Sequence, residues 1–141
     1  MPQNTKKAIA GLDTDFENLY ARAVDARDRF WIEARASRRV ISRGVAISRR
    51  GNSVDIYWLR ITYQRHELGP QKKPFRSRIS KGRGSFPRFS RVQMGRMEMW
   101  LEEMFNRYED EFEVLRLLIK ENRVLRRQLE RYAVLLEKLE R

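Results

Sequence analysis

The chain has 141 residues, and its 31 Lys and Arg against 19 Asp and Glu give a formal net charge of +12. It has no cysteine and one histidine, which excludes a disulfide framework and a metal site built from several Cys or His ligands. No apolar run is long enough to span a membrane, and the first residues lack the apolar core of a signal peptide, so we expect a cytoplasmic protein.

The positive charge is confined to the middle of the chain. Residues 38–91 hold fifteen basic and two acidic residues, whereas residues 1–37 and 92–141 are close to neutral. A function in solubility does not require this segregation, but a surface for an anionic partner does. We therefore expect the middle segment to bind nucleic acid, ahead of an acidic membrane surface.

The first third of the chain predicts an arm and a helix. Residues 1–11 predict a flexible basic arm, with Lys6 and Lys7 free to contact a partner. A helix is expected to begin near residue 12, because Thr14 and Glu17 have the spacing of a capping box. Apolar residues then recur on one helical stripe, at Phe16, Leu19, Ala23, Ala26 and Phe30.

Three antiparallel strands are predicted next, at about 39–49, 54–65 and 75–80, with a tight turn at Gly51 and Asn52. The second strand alternates, and we expect the helix to cover its face of Tyr57, Leu59, Ile61 and Tyr63. Trp58 falls on the opposite face, where it would cover an edge of the sheet or stack on a base.

The face left bare predicts contacts to duplex DNA, ahead of RNA. Small residues on the first strand would let the backbone approach a groove, where Arg can pair with guanine and Gln with adenine. The predicted base-reading residues are Arg60, Thr62, Gln64, Arg76 and Arg78. The predicted phosphate contacts, at strand ends and loops, are Arg43, Arg49, Arg50, Lys72, Lys73, Lys81 and Arg83.

Residues 92–141 predict one long helix with a heptad pattern. With Leu115 at position a, positions a and d are apolar in nearly every heptad, and Asn122 at a is typical of a two-stranded parallel homodimer. The predicted dimer residues are Leu101, Met104, Tyr108, Leu115, Leu118, Asn122, Leu125, Leu129, Tyr132, Leu136 and Leu139. The alternative is an intramolecular helical hairpin, broken near residues 106–111.

The sequence thus predicts an α+β fold: an N-terminal helix on a small three-stranded antiparallel sheet, followed by a long C-terminal coiled-coil helix. Its parts would be the arm (1–11), a DNA-binding helix and sheet (12–91) and a dimerising helix (92–141). We expect no enzyme, cofactor or catalytic residue. The basic segment has only Asp55 and Glu67 as carboxylates for metal-dependent chemistry, and both candidate nucleophiles, Tyr57 and Tyr63, are predicted to be buried.

Two stretches resemble a known family. "RRGNSVDIYW" and "RSRISKGRGSFP", set between a helix and a charged C-terminal helix, are similar to the MobI family of conjugative-transfer accessory proteins of bacterial mobile elements. The resemblance implies a function at the origin of transfer, assisting recruitment of the relaxase, with the relaxase as a protein partner. The alternative function is a coiled-coil interaction scaffold or transcriptional regulator that binds DNA or RNA without sequence specificity.

Overall fold

The computed structural model describes residues 2–65, 72–81 and 87–141, with the backbone alone at 64, 65, 72 and 73. Helix α1 spans Gln3–Ala36, and three strands follow: β1 at Arg43–Arg50, β2 at Ser53–Arg65 and β3 at Lys72–Arg78. One turn of helix, α2 (Arg91–Met94), precedes the long helix α3 (Met99–Glu140). The strands are antiparallel in the order β1-β2-β3, so the predicted α+β architecture is confirmed. None of the helices in these ranges is long and apolar enough to cross a bilayer.

The β1–β2 hairpin closes at the predicted turn. Arg50 pairs with Ser53, which leaves Gly51 and Asn52 as a two-residue loop, and Gly51 has a φ of +59°. A residue without Cβ adopts this backbone at no steric cost. The register then pairs Val45 with Trp58, whose side chains share one face of the sheet.

Helices α1 and α3 run antiparallel and cover that face. Asn122 of α3 donates a hydrogen bond to the carbonyl of Leu12 at 3.0 Å, whereas Arg107, a full fifteen residues earlier in α3, pairs with Glu33 late in α1. The two helices therefore pack against each other along most of their length. This intramolecular pairing differs from both predicted arrangements of the C-terminal helix.

Trp58 lies at the centre of the core and reverses the predicted orientation of β2. Its side chain is fully buried, and its ring makes edge contacts with Phe30 of α1 and with Phe105 and Phe112 of α3, at centroid distances of 5.2, 5.1 and 6.1 Å. The predicted exposed role of Trp58 is therefore wrong. The alternation of β2 holds, but the large indole takes the helix-covered side, and the side with Tyr57 and Tyr63 faces away.

A buried carboxylate joins the sheet, α3 and the segment before α2. Glu109 is fully buried and accepts hydrogen bonds from Trp58 Nε1 (2.9 Å) and the Phe89 N–H (2.6 Å). Its oxygens also accept from both terminal nitrogens of Arg116, at 2.8 and 3.0 Å. Arg116 in turn donates to the carbonyls of Ile56 and Pro87. The pair is thus satisfied on every side, as a buried charge must be.

Helix α1 begins at Gln3, so the segment predicted as a flexible arm at 1–11 is helical from residue 3. The early turns lie against α3: Thr5 is buried, and Asp13 forms an ion pair with Arg126. The hydroxyl of Thr14 bonds the carbonyl of Ala10 within the helix at 3.2 Å instead of capping a new one.

The long C-terminal helix is interrupted at Gly95 and is continuous across residues 106–111. Ser90 and Gln93 form a capping box, but it starts only one helical turn. Gly95 then takes a φ of +76°, and Arg43 donates to the carbonyls of Met94 (2.9 Å) and Arg96 (3.2 Å) on either side of it. This bend redirects the chain before α3 begins.

Helix α3 packs against the rest of its own chain through heptad positions a and e. Phe105, Phe112, Ile119 and Ala133 at e are buried beside the a residues. Five predicted dimer residues are therefore already covered by the chain itself and corrected to core positions: Leu101, Met104, Tyr108, Leu115 and Asn122. Leu129 and Leu136 are half-buried, while four d residues remain exposed: Leu118, Leu125, Tyr132 and Leu139.

Candidate nucleic-acid interface

The sheet has one face turned away from α1 and α3, which we call the open face. The small residues Gly44, Ala46 and Ser48 of β1 line it, and the register adds Arg76 opposite Ile61 and Arg78 opposite Leu59. Both arginines are exposed. The rest of this face is formed by Asp55, Tyr57, Leu59, Ile61, Tyr63 and Pro74.

An indole from α1 crosses onto one end of the open face. Trp31 Nε1 donates to the Val45 carbonyl at 2.9 Å, and a Cβ at Gly44 would overlap the ring. The guanidinium of Arg35 lies 5.3 Å from the centroid of Trp31, and that of Arg76 lies 5.5 Å from it. Helix α1 and strand β3 thereby bring two cations to one aromatic ring, an arrangement that attraction between cation and ring stabilises.

Arg78 occupies the other end of the open face. It pairs with Asp55 and stacks over the ring of Tyr57 at 4.1 Å. Its side chain is still 54% exposed, so the ion pair leaves donors available to a ligand. Asp55 is the one carboxylate on this face among the residues that the structure describes.

The sheet separates the five predicted base-reading residues. Arg76 and Arg78 lie on the open face, whereas the strand alternation turns Arg60 and Thr62 to the helix-covered side, on which Trp58 is buried. Arg60 reaches past the end of the core toward Gly95. The predicted placement of Arg60 and Thr62 on one face with Arg76 and Arg78 is therefore wrong, although both residues are exposed. The side chain of Gln64 lies outside the described residues.

Two of the predicted phosphate contacts are engaged within the fold. Arg43 is buried and bonded to three backbone carbonyls, and burial, with the nearby Arg60, lowers the pKa of Arg43. Arg49 pairs with Glu17 at 2.9 and 2.5 Å, and its guanidinium lies over the rings of Phe16 and Tyr20. Buried Arg43 is therefore corrected from a ligand contact to a structural one, whereas Arg49 is exposed in its pair with Glu17, so its phosphate contact stays a prediction.

The other predicted phosphate contacts differ in position. Arg50 is exposed at the hairpin turn, and Lys81 is half-buried after β3. Arg83 and the side chains of Lys72 and Lys73 lie outside the described residues. Sequence reasoning missed Arg35, although its place four residues after Trp31 on a helix was a signal that the two side chains meet.

No group of three His, Cys, Asp or Glu side chains suited to a metal ion occurs in the described ranges. Tyr57 and Tyr63, predicted to be buried, lie on the open face, where Tyr57 sits under Arg78 and the Tyr63 hydroxyl donates to the Ile41 carbonyl at 3.2 Å. Both tyrosines thus have partners in the fold that explain their positions.

Comparison with known proteins identifies the family. A family model described as MobI protein matches residues 19–130, which include most of α1, the whole sheet and most of α3. No curated protein and no solved structure matched the chain. The family has an accessory role in conjugative mobilisation. Because the match covers well over half of the sequence, the chain belongs to the MobI family.

Proposed function

We propose that the protein is a cytoplasmic, non-enzymatic accessory factor that binds duplex DNA at the origin of transfer of a conjugative element and helps to recruit the relaxase. The family supports the mobilisation role. The observation that carries the DNA-binding part is the open face, where Arg35, Arg76 and Arg78 surround a surface of small residues with one carboxylate among the residues that the structure describes.

The shape of the open face favours duplex DNA over RNA. A small sheet can enter the major groove of B-form DNA, and Ala46 and Ser48, beyond the end where Trp31 covers Gly44, would allow its backbone to approach the bases. The major groove of A-form RNA is too deep and narrow for such a sheet. In this proposal Arg76 and Arg78 contact bases, while Arg50 and Lys81 contact phosphates.

The test is a titration of labelled duplex by fluorescence anisotropy, with an origin-of-transfer sequence and a random sequence, across a salt series. Replacing Arg76 or Arg78 by Ala should cost about 1–3 kcal/mol on the origin duplex and less on the random one. Replacing Arg50 should weaken binding to both duplexes equally. It should also lower by about one unit the salt slope, which is the slope of log affinity against log salt concentration. The wild-type slope should be steeper than about −5.

A matched control is Arg22→Ala, which removes an exposed arginine of α1 that pairs with Glu111 away from the open face. It should leave both affinities unchanged. Equal losses on the two duplexes for Arg76→Ala and Arg78→Ala would contradict base reading. A flat salt response would contradict DNA binding altogether.

We further propose that two copies associate through α3. The d residues Leu118, Leu125, Tyr132 and Leu139 recur every seven positions and are 46, 46, 54 and 82% exposed. Val114 and Leu135, at position g, widen this stripe. A second helix with the same seven-residue period fits such a stripe, which favours another copy of this chain as its occupant. The origin DNA would then contain two related half-sites.

Light scattering at micromolar concentration tests the dimer. The wild type should have the mass of two chains, and the double variant Leu118→Glu, Leu125→Glu should have the mass of one. Val134→Glu, which places a charge on an equally exposed apolar position outside the stripe, should remain dimeric. A monomeric wild type would contradict the proposal.

A further inference from the structure

A cavity of about 330 Å³ lies between the first residues of β2 and the middle of α3. This is far more than the ~10–15 Å³ of such space that one water molecule needs. Lys81, Arg116, Lys120 and Arg123 supply four cations to its wall, and Asp55 supplies one carboxylate. The cavity therefore suits a small anion.

The charges around this cavity are only partly neutralised by the protein. Arg116 is compensated by the buried Glu109, and Asp55 is paired with Arg78. No ion pair joins Lys81, Lys120 or Arg123 to a carboxylate within the described ranges. Burial, followed by the nearby Arg116 and Lys120 cations, lowers the pKa of Lys81. Among the described residues, three cations thus share the cavity wall without an ion-paired carboxylate, while Asp55 and Glu109, close enough to act on the pKa of Lys81, offset its charge only in part.

The backbone of β2 adds hydrogen-bond capacity at the same place. β3 pairs with β2 only from Leu59 onward, so the earlier part of this edge of β2 has no neighbouring strand. The Ile56 carbonyl points to that free edge, because it accepts hydrogen bonds from Arg116 of α3. The N–H of a strand residue points to the same side as its carbonyl, so the Ile56 amide faces the cavity as a donor.

We propose that this cavity binds a phosphate group, held by Lys81, Lys120 and Arg123 and by the Ile56 amide. Clustered cations with a backbone N–H donor are the usual composition of phosphate sites. In function the group is a phosphodiester of the DNA backbone, a step that rests on the proposed function. Helix α3 would then contact DNA as well as close the core, and the duplex would be held at the open face and beside it.

The experiment has one arm without DNA. Inorganic phosphate is titrated into the full chain and followed by the backbone amide signals of Val54 and Ile56 in NMR spectra. Saturating shifts are expected there, and the double variant Lys120→Gln, Arg123→Gln should weaken phosphate binding by at least about tenfold, the loss expected for one or two charge-assisted hydrogen bonds.

Lys138→Gln is the matched control, since it also removes a cation from the exposed surface of α3, eighteen residues further along the helix and thus about 27 Å away. It should bind phosphate like the wild type. Small shifts spread over all basic segments, or equal binding by the double variant, would overturn the site. Thermal unfolding of each variant checks that the fold is retained.

The second arm measures duplex DNA affinity across a salt series. The double variant should lower the salt slope by about one unit, and Lys138→Gln should not. If the wild type binds DNA and the double variant has an unchanged slope, the phosphodiester assignment is overturned while the proposed function stands. If the wild type binds no DNA but phosphate still saturates the cavity, the proposed function fails, and the site stands with a free phosphate compound as its ligand.

Discussion

Arginines have different neighbours in the two halves of the molecule. In the helical half, formed by α1, α3 and the segments that connect them to the sheet, arginines donate to carboxylates. Arg29 donates to both oxygens of Glu111 at 3.1 and 3.0 Å, and Arg88 donates to Asp110 and Glu113 at 2.6 and 3.0 Å. On the open face, Arg35 and Arg76 stack on Trp31 instead. The charges of Arg29 and Arg88 are therefore balanced by carboxylates of the chain, whereas Arg35 and Arg76 keep their donors available to a ligand.

This contrast shows that a basic segment of sequence is not the same thing as a basic surface. Arg43, Arg49 and Arg88 belong to the basic middle segment, yet each bonds a carbonyl or carboxylate of the chain, Arg43 in the core and the other two at the surface. Conversely, Lys120 and Arg123 come from a segment of almost zero net charge and line a cationic cavity. Net charge by segment therefore overcounts the residues that are available to an anionic partner.

The largest expected effect is in the helical half, at Glu109. Replacing it by Ala should lower the free energy of unfolding by about 3–5 kcal/mol, because the buried Arg116 would lose its counter-ion and Trp58 Nε1 its acceptor. Urea unfolding followed by tryptophan fluorescence measures this loss. Glu130→Ala, on the exposed surface of α3, should change stability by less than about 0.5 kcal/mol. Similar small losses for both variants would contradict a structural role for the network.

A smaller effect is expected where the open face meets α1. A methyl group at Gly44 would overlap the Trp31 ring, so Gly44→Ala should lower the free energy of unfolding by about 1–3 kcal/mol. It should also move the Trp31 ring out of its place between Arg35 and Arg76. Gly11→Ala is the matched control: a methyl there meets no atom within 4 Å, and the helix should gain about 0.5–1 kcal/mol. Thermal unfolding measures both, and a stable Gly44→Ala would show that Trp31 is not fixed against β1.

The secondary structure was predictable because its signals are local. Strand alternation, the Gly51-Asn52 turn and the seven-residue repeat of α3 each follow from neighbouring residues, and the structure has all three. Which face of β2 turns inward was not predictable in this way. Alternation defines two faces equally well, and the packing of both helices, through Phe30 of α1 and Phe105 and Phe112 of α3, selects the one with Trp58.

For a similar reason, the sequence did not predict which element packs against α3. A heptad stripe indicates that a helix will pack, but it does not name the partner, and α1 occupies positions a and e. The extension of α1 to Gln3 follows from the same packing, since its early turns are helical beside Asn122 and Arg126. For the site, the alternation correctly grouped Arg76 and Arg78, while the offset between β2 and β3 placed Arg60 on the other face.

The helical half should also have its own pH dependence. Burial, with the hydrogen bond that the phenol donates to Glu33 at 2.8 Å, raises the pKa of Tyr108 from about 10 to about 12. The folded state therefore holds this proton more tightly, and the stability that it contributes is present below pH 10 and lost between about pH 10 and 12. Absorbance of phenolate against pH should show one late-titrating tyrosine, absent in Tyr108→Phe. A late step that persists in Tyr108→Phe would assign it elsewhere.

The smallest expected effect tests the open face by making it more basic. Asp55→Asn removes the carboxylate that pairs with Arg78, so that Arg78 is fully available to DNA. An exposed ion pair of this kind contributes about 0.2–1 kcal/mol, so duplex affinity should rise by about 1.4- to fivefold, with little change in stability. Asp110→Asn is the matched control, because it removes the same charge from a pair with Arg88 in the helical half. If net charge alone set the affinity, both variants would strengthen binding equally. If DNA binds at the open face or at the adjoining cavity, whose wall Asp55 also lines, only Asp55→Asn strengthens binding. A gain made through Arg78 should be larger on the origin duplex than on a random one, since Arg78 is proposed to contact a base.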